Sequence, residues 1–181
     1  MKIGKKITAI AFAGLMHSIY VQAMLSPGFS FSYGYGKPDH LIAYRLSWQI
    51  PWFEHAVHYG NLLSYWNFSF NYCTVSPPAR QQVKQFGIIA AAPIFYWQAR
   101  AIQSMQPHLA FSIGPALLSR SRLGHRNLGG RFAFQDLIGV GCLFSKRISL
   151  DYYYIHYSNA HLFPPNQGID VKQLVSFGYY F

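Results

Sequence analysis

Charge is scarce in this chain. Only 11% of its residues are charged, and the acidic ones number five, where an ordinary soluble domain carries charge on about a quarter of its residues. Long apolar runs are missing too. After residue 23 no stretch holds 18 consecutive apolar residues, which excludes membrane-spanning helices of the usual about 20 residues. Cysteine is limited to Cys73 and Cys142, so no disulfide framework is on offer. They fall in the third and sixth of the strand segments set out below, which are not adjacent, and are expected to be free buried thiols. No GxSxG elbow, HExxH, P-loop or dinucleotide fingerprint occurs. His55, His58 and His108 lack a metal-ligand spacing and are expected to do nothing special.

Aromatic residues are abundant: Tyr and Phe together number 29. Few charges with many aromatics fit either a Tyr-rich fibrous protein or a membrane barrel. The apolar residues come in short runs punctuated by Gly, Pro, Asn and charge clusters, which is a strand pattern. Eight segments read this way: 25–36, 41–51, 58–73, 85–99, 107–119, 131–145, 147–158 and 169–181. An even number of strands, each about ten residues or more, predicts one all-β domain, an eight-stranded antiparallel transmembrane β-barrel.

The first residues carry an export signal. Lys2, Lys5 and Lys6 form a positive region, Ile7 to Met16 a short apolar one, and Val21-Gln22-Ala23 a cleavage site with small residues. Residues 1–23 are thus expected to be removed, leaving a mature barrel of residues 24–181. Without the three signal lysines, 12 Lys and Arg stand against 5 Asp and Glu, a net charge near +7. A basic surface seeks anions, and in an outer membrane the candidates are lipopolysaccharide phosphates rather than nucleic acid.

The last segment alternates with period two. Val171, Gln173, Val175, Phe177, Tyr179 and Phe181 share one face; Lys172, Leu174, Ser176, Gly178 and Tyr180 share the other. The first is expected to face lipid and the second the barrel interior. Ending on Phe181 matches the terminal aromatic read by the outer-membrane assembly machinery. With both termini periplasmic, the outer connections are Lys37 to His40, Thr74 to Lys84, Ser119 to Gly130 and Asn159 to Gly168. Three of these are long, whereas one inner turn is only Ser145-Lys146-Arg147, the asymmetry expected of such barrels. Trp48, Trp52, Trp66 and Trp97, with the tyrosines, read as interfacial girdles.

Chemistry is concentrated in His156-Tyr157-Ser158-Asn159-Ala160. Residues i and i+2 of a strand share a face with Cβ atoms about 7 Å apart, so an imidazole can serve a neighbouring hydroxyl. Serine is a poor nucleophile until a base removes its proton, and the base needs a carboxylate to hold its tautomer. Asp170 is the nearest carboxylate downstream and Asp151 the rival. Leu150, Tyr152, Tyr154, His156 and Ser158 share the more apolar face, so the pair should face lipid and the substrate should itself be a lipid. Asp151 falls on the lumen side. Asp170 also falls inward by parity, so a bulge is required to turn it out.

Residues 156–170, HYSNAHLFPPNQGID, resemble the signature of the PagL family, the lipid A 3-O-deacylases of Gram-negative outer membranes. Tyr44-Arg45-Leu46-Ser47-Trp48, Asn127-Leu128-Gly129 and Phe132-Ala133-Phe134-Gln135-Asp136 followed by Gly139 and Gly141 extend the likeness over the mature chain. The resemblance implies an eight-stranded outer-membrane barrel that hydrolyses an ester of lipid A without a cofactor or metal. It implies His156 as base, Ser158 as nucleophile and Asp170 as orienting acid, and Ala160, His161 and Asn166 as oxyanion donors. The family's usual acid is Glu, and its usual residue at position 161 is Gly. Arg120, Arg122, Arg126 and Arg131, with His125, cluster around the third outer loop and read as a clamp on substrate phosphate. A non-catalytic structural or binding barrel is the alternative, and a lipid A acyltransferase a third.

Overall fold

A computed structural model describes residues 26–37, 39–76 and 84–181. The expected export signal over residues 1–23 lies outside the described residues. Eight long strands are present: β1 (Gly28–Lys37), β2 (Leu41–Val57), β3 (Gly60–Thr74), β4 (Gln85–Ala99), β5 (Met105–Leu118), β6 (Phe132–Phe144), β7 (Ile148–Ser158) and β8 (Ile169–Tyr180). Each pairs antiparallel with the next, and β8 closes on β1. The result is the eight-stranded antiparallel barrel expected from the spacing of the strand signals. Closure matters because it gives every one of these strands a neighbour on both sides, so that no strand presents an open edge to lipid.

Strand bounds differ from the sequence-based ones where proline was read as a stop. β2 runs on past Pro51 to Val57, and its register with β3 shifts between Pro51 and Phe53. Proline lacks the N–H that a ladder needs, and a bulge is where a strand tolerates that loss. The third outer connection is not irregular throughout: Arg122–Leu123 and Arg126–Asn127 form a small two-stranded ribbon. Ser145 and Lys146 both have positive φ, and the Arg147 N–H donates to Phe144 O across them. That is the tight turn whose twist suits a hairpin.

Alternation sorts the side chains as expected. Leu46, Phe68, Ile113, Ile138, Leu150 and Phe177 stand exposed on the outer wall. The exposed tryptophans lie toward the end where β1 begins and β8 ends, and exposed Tyr35, Tyr44 and Tyr72 lie toward the opposite, distal end. Inside, an eight-stranded barrel is narrow enough to be filled by its own side chains. Arg45 is 2% exposed and donates to Ser47 Oγ at 3.0 Å, Asn71 Oδ1 at 3.1 Å and Gln135 Oε1 at 2.7 Å. His108 meets Asp151 at 2.7 Å, and Ser149 donates to the other oxygen of that carboxylate at 2.8 Å. His108, expected to be idle, is therefore part of the polar interior. Cys73 and Cys142 are both free, but only Cys73 is buried; Cys142 is half-buried.

β8 departs from simple alternation. Val171 pairs with Ile155 and Leu174 with Tyr153, so two residues of β8 oppose one of β7. The bulge puts Val171 inside and Lys172 outside, the reverse of the parity expectation, while Val175, Phe177 and Tyr179 face out as expected. β1 accommodates it with Gly36, where a Cβ would lie 1.9 Å from Asp170 O.

Candidate active site

The bulge decides where Asp170 points. Register places Asp136 of β6, His156 of β7, Asp170 of β8 and Lys37 of β1 side by side in one row across four strands near the distal rim. Asp170 is turned outward onto the face that carries His156. Its Oδ1 meets His156 Nδ1 at 2.7 Å and accepts a hydrogen bond from the Tyr154 hydroxyl at 2.6 Å. A carboxylate on Nδ1 keeps the proton on that nitrogen and leaves Nε2 free to accept one. The side chains of His156 and Asp170 are 33% and 24% exposed, so the pair is reachable from outside the wall.

Ser158 lies two residues beyond His156 on the same half-buried outer face, opposite Phe134 of β6. The two are not hydrogen-bonded to one another here; the imidazole's bond runs to Asp170. Nucleophile–base contacts commonly tighten only when substrate is bound. Gly168 packs on the other side of the ring. A Cβ at that position would stand 2.6 Å from His156 Cε1 and 3.3 Å from Nε2, so only glycine lets the loop pass this close.

The loop after Ser158 is held from within. Asn159 is fully buried and its amide group donates to Leu128 O and Phe163 O. Its backbone N–H is taken by Asn166 Oδ1 at 3.0 Å. That occupation leaves Asn166 Nδ2 and the backbone amides of Ala160 and His161 as the donors next along the chain. Both residues adopt left-handed conformations, φ 51° and 63°. Glycine reaches that region without steric cost, which accounts physically for the glycine that the resemblance expects at 161.

Asp151 is buried in the lumen and committed to His108 and Ser149, so it is no partner for His156. Of the basic cluster, Arg120, Arg122 and Arg131 are exposed, while Arg126 is half-buried on the inner side of the ribbon. Three neighbours of the imidazole were not singled out from the sequence: Tyr154, Gly168 and Asp136. Tyr154 shares its parity with His156, but its bond to Asp170 depends on cross-strand register. Asp136 faces out beside His156, with Oδ1 buried and unpartnered among the described residues. Below the site, Leu109, Phe111, Ile138, Val140, Tyr152 and Tyr154 line an apolar groove of about 390 Å³ on the outer wall.

Known proteins share this arrangement of strands. A family model described as lipid A 3-O-deacylase (PagL) matches residues 42–179. The lipid A deacylase PagL of Pseudomonas aeruginosa is 29% identical over 174 residues, covering 94% of this chain and 96% of that protein. Its counterpart in Bordetella bronchiseptica is 32% identical over 89 residues, 46% of this chain and 50% of that one. The crystal structure of the outer membrane enzyme PagL superposes with a TM-score of 0.76 at 28% identity, over 85% of this chain and 99% of the other. Neisserial surface protein A, at 8% identity and a TM-score of 0.53, shares the fold alone.

Proposed function

The chain belongs to the lipid A 3-O-deacylase (PagL) family, and on that premise we propose that it hydrolyses its ester through Ser158, His156 and Asp170. It is an outer-membrane β-barrel enzyme. The substrate is lipid A, and the bond broken joins a 3-hydroxyacyl chain to the O3 oxygen of a glucosamine. One observation carries the mechanism: an imidazole oriented by a carboxylate at 2.7 Å stands on the membrane-facing wall, on the same face as a serine two residues away. A hydrolytic pair aimed into lipid suits a substrate whose acyl chains already lie there.

His156 Nε2 takes the Ser158 hydroxyl proton as Oγ attacks the ester carbonyl. The oxyanion is held by the amides of Ala160 and His161 and by Asn166 Nδ2; donors so placed are each worth about 3–4 kcal/mol. The C–O bond to the sugar then breaks, and the imidazolium gives its proton to the departing O3. Water, deprotonated by His156, attacks the acyl-serine, and the 3-hydroxy fatty acid leaves with the serine restored. Asp170 stabilises the imidazolium in both halves, and Tyr154 holds Asp170. The groove lined by Ile138, Val140 and Tyr152 runs down the wall from this point and suits the chain being removed.

Residues 1–23 serve as the export signal in this scheme. The test is mass spectrometry of lipid A treated with the wild type, Ser158→Ala and His156→Ala. Loss of one hydroxyacyl chain is expected only with the wild type, and a serine-directed phosphonate should label Ser158. Deacylation at the wild-type rate by either variant would end the mechanism.

A further inference from the structure

The distal end carries a second feature that the hydrolytic residues do not use. Between the first and third outer loops opens a cup of about 620 Å³, lined by Lys37, Asp39, His40, Ser76, His125 and Arg126. Asp39, the sole acid in this lining, is engaged with protein groups. Its carboxylate meets His125 Nδ1 at 2.9 Å and accepts from the His125 N–H at 3.2 Å, while its carbonyl accepts from the Ser76 N–H at 2.9 Å. One residue thus ties three loops together. Among the described residues, Arg126 Nε is buried with no hydrogen-bond partner, and a buried donor left unpaired is costly. Lys37 and His40, which also line the cup, are exposed.

We infer that this cup is a binding site for a phosphomonoester, and that the ligand is a phosphate on the sugar head group of the substrate. The inference rests on the deacylase reading and adds the head-group contact to it. Guanidinium and ammonium groups set around a preformed cavity are the usual donors for a phosphate dianion, the arginine through its planar fork. Position argues for the substrate as the source. Lys37 lies directly across from Asp170, which lies directly across from His156. At a strand spacing of about 4.8 Å, the lysine backbone stands roughly 10 Å from that of the base. That leaves room for a single sugar ring between the scissile ester and the cup. Arg126 is held in the same frame, because its neighbour Asn127 accepts from the Gln167 N–H at 3.0 Å and donates its own N–H to Gln167 Oε1 at 2.9 Å. Gln167 belongs to the loop that follows Ser158. Of the four arginines first grouped as a phosphate clamp, this geometry selects Arg126, and it adds Lys37 and His40 from the first loop.

The test compares kcat/KM of the full-length mature protein in detergent micelles on bisphosphorylated lipid A and on the same lipid A after phosphatase treatment. The wild type should prefer the phosphorylated form by about tenfold or more, since a charge-assisted contact is worth about 1.5–3 kcal/mol. Arg126→Gln and Lys37→Gln should each cut that ratio by about tenfold, mainly through KM. Arg126→Lys, which keeps the charge, should retain part of it. In the wild type alone, high salt should shrink the ratio, so the test does not depend on any variant folding. Phosphatidic acid added to the dephosphorylated substrate should not restore its rate; restoration would move the bound phosphate from the substrate to a neighbouring lipid. A wild-type ratio near one, or ratios untouched in both Gln variants, would overturn the site. Absence of any hydroxyacyl release by the wild type would instead overturn the deacylase reading.

Discussion

Replacing Gly168 by alanine should silence this enzyme while leaving its barrel intact. The added methyl would sit 2.6 Å from His156 Cε1, 3.3 Å from Nε2 and 3.5 Å from Nδ1. Carbon atoms in contact settle at about 3.5–4.0 Å, so the ring must retreat by about 1 Å. It cannot do so freely, because Nδ1 is held by Asp170 at 2.7 Å; the ring therefore swings about that bond and carries Nε2 off its line to Ser158. A misplacement of about 1 Å costs on the order of a hundredfold in rate. Backbone strain contributes nothing, since the φ of Gly168 lies outside the left-handed region. The assay is the initial rate of 3-hydroxy fatty acid release from lipid A in micelles, with folding checked by the different gel mobility of heated and unheated barrel. The loss should fall on kcat, because the displaced imidazole acts in the chemical step. A folded Gly168→Ala protein with kcat within about threefold of wild type would refute the argument that this contact sets the imidazole.

Other perturbations separate the roles of neighbouring groups. Tyr154→Phe removes the 2.6 Å hydrogen bond to Asp170 and should lower kcat about tenfold, in line with one bond to a charged acceptor; an unchanged kcat would make that bond incidental. Asp151→Ala should cost about 1–3 kcal/mol in urea unfolding, because it strands His108 and Ser149 in the lumen. Its deacylation rate below the unfolding transition should stay near wild type, and a collapse of that rate would bring Asp151 back as a catalytic acid. His161→Gly relieves a left-handed residue at φ 63° and should raise stability by about 1 kcal/mol, read as a shift of the unfolding midpoint; a fall in the midpoint would mean that the histidine side chain holds the loop.

Part of the candidate site was legible in the sequence, for reasons visible in single residues. His156 and Ser158 are two apart in a strand, so their common face follows from the pleat alone. Leu150, Tyr152 and Tyr154 on that face mark it as the lipid side. The parity of Asp151 put it on the lumen side, and there it lies, paired with His108. The parity of Asp170 pointed the wrong way, and the bulge demanded to correct it occupies Lys172 and Gln173. No local pattern fixed its position there.

What the linear order of residues determined is what repeats locally: strand count, which face of each strand meets lipid, and the His-x-Ser unit itself. Period-two alternation is written within a few neighbouring residues, so it survives without knowledge of partners. Only the closed sheet decided which residues from distant strands meet. Pairing Lys37, Asp170, His156 and Asp136 in one row, burying Arg45 against Asn71 and Gln135, and knotting three loops on Asp39 all depend on register. Register is a relation between strands rather than a property of any one of them, and slipping one strand by a single residue would turn all of that strand's side chains to the opposite face.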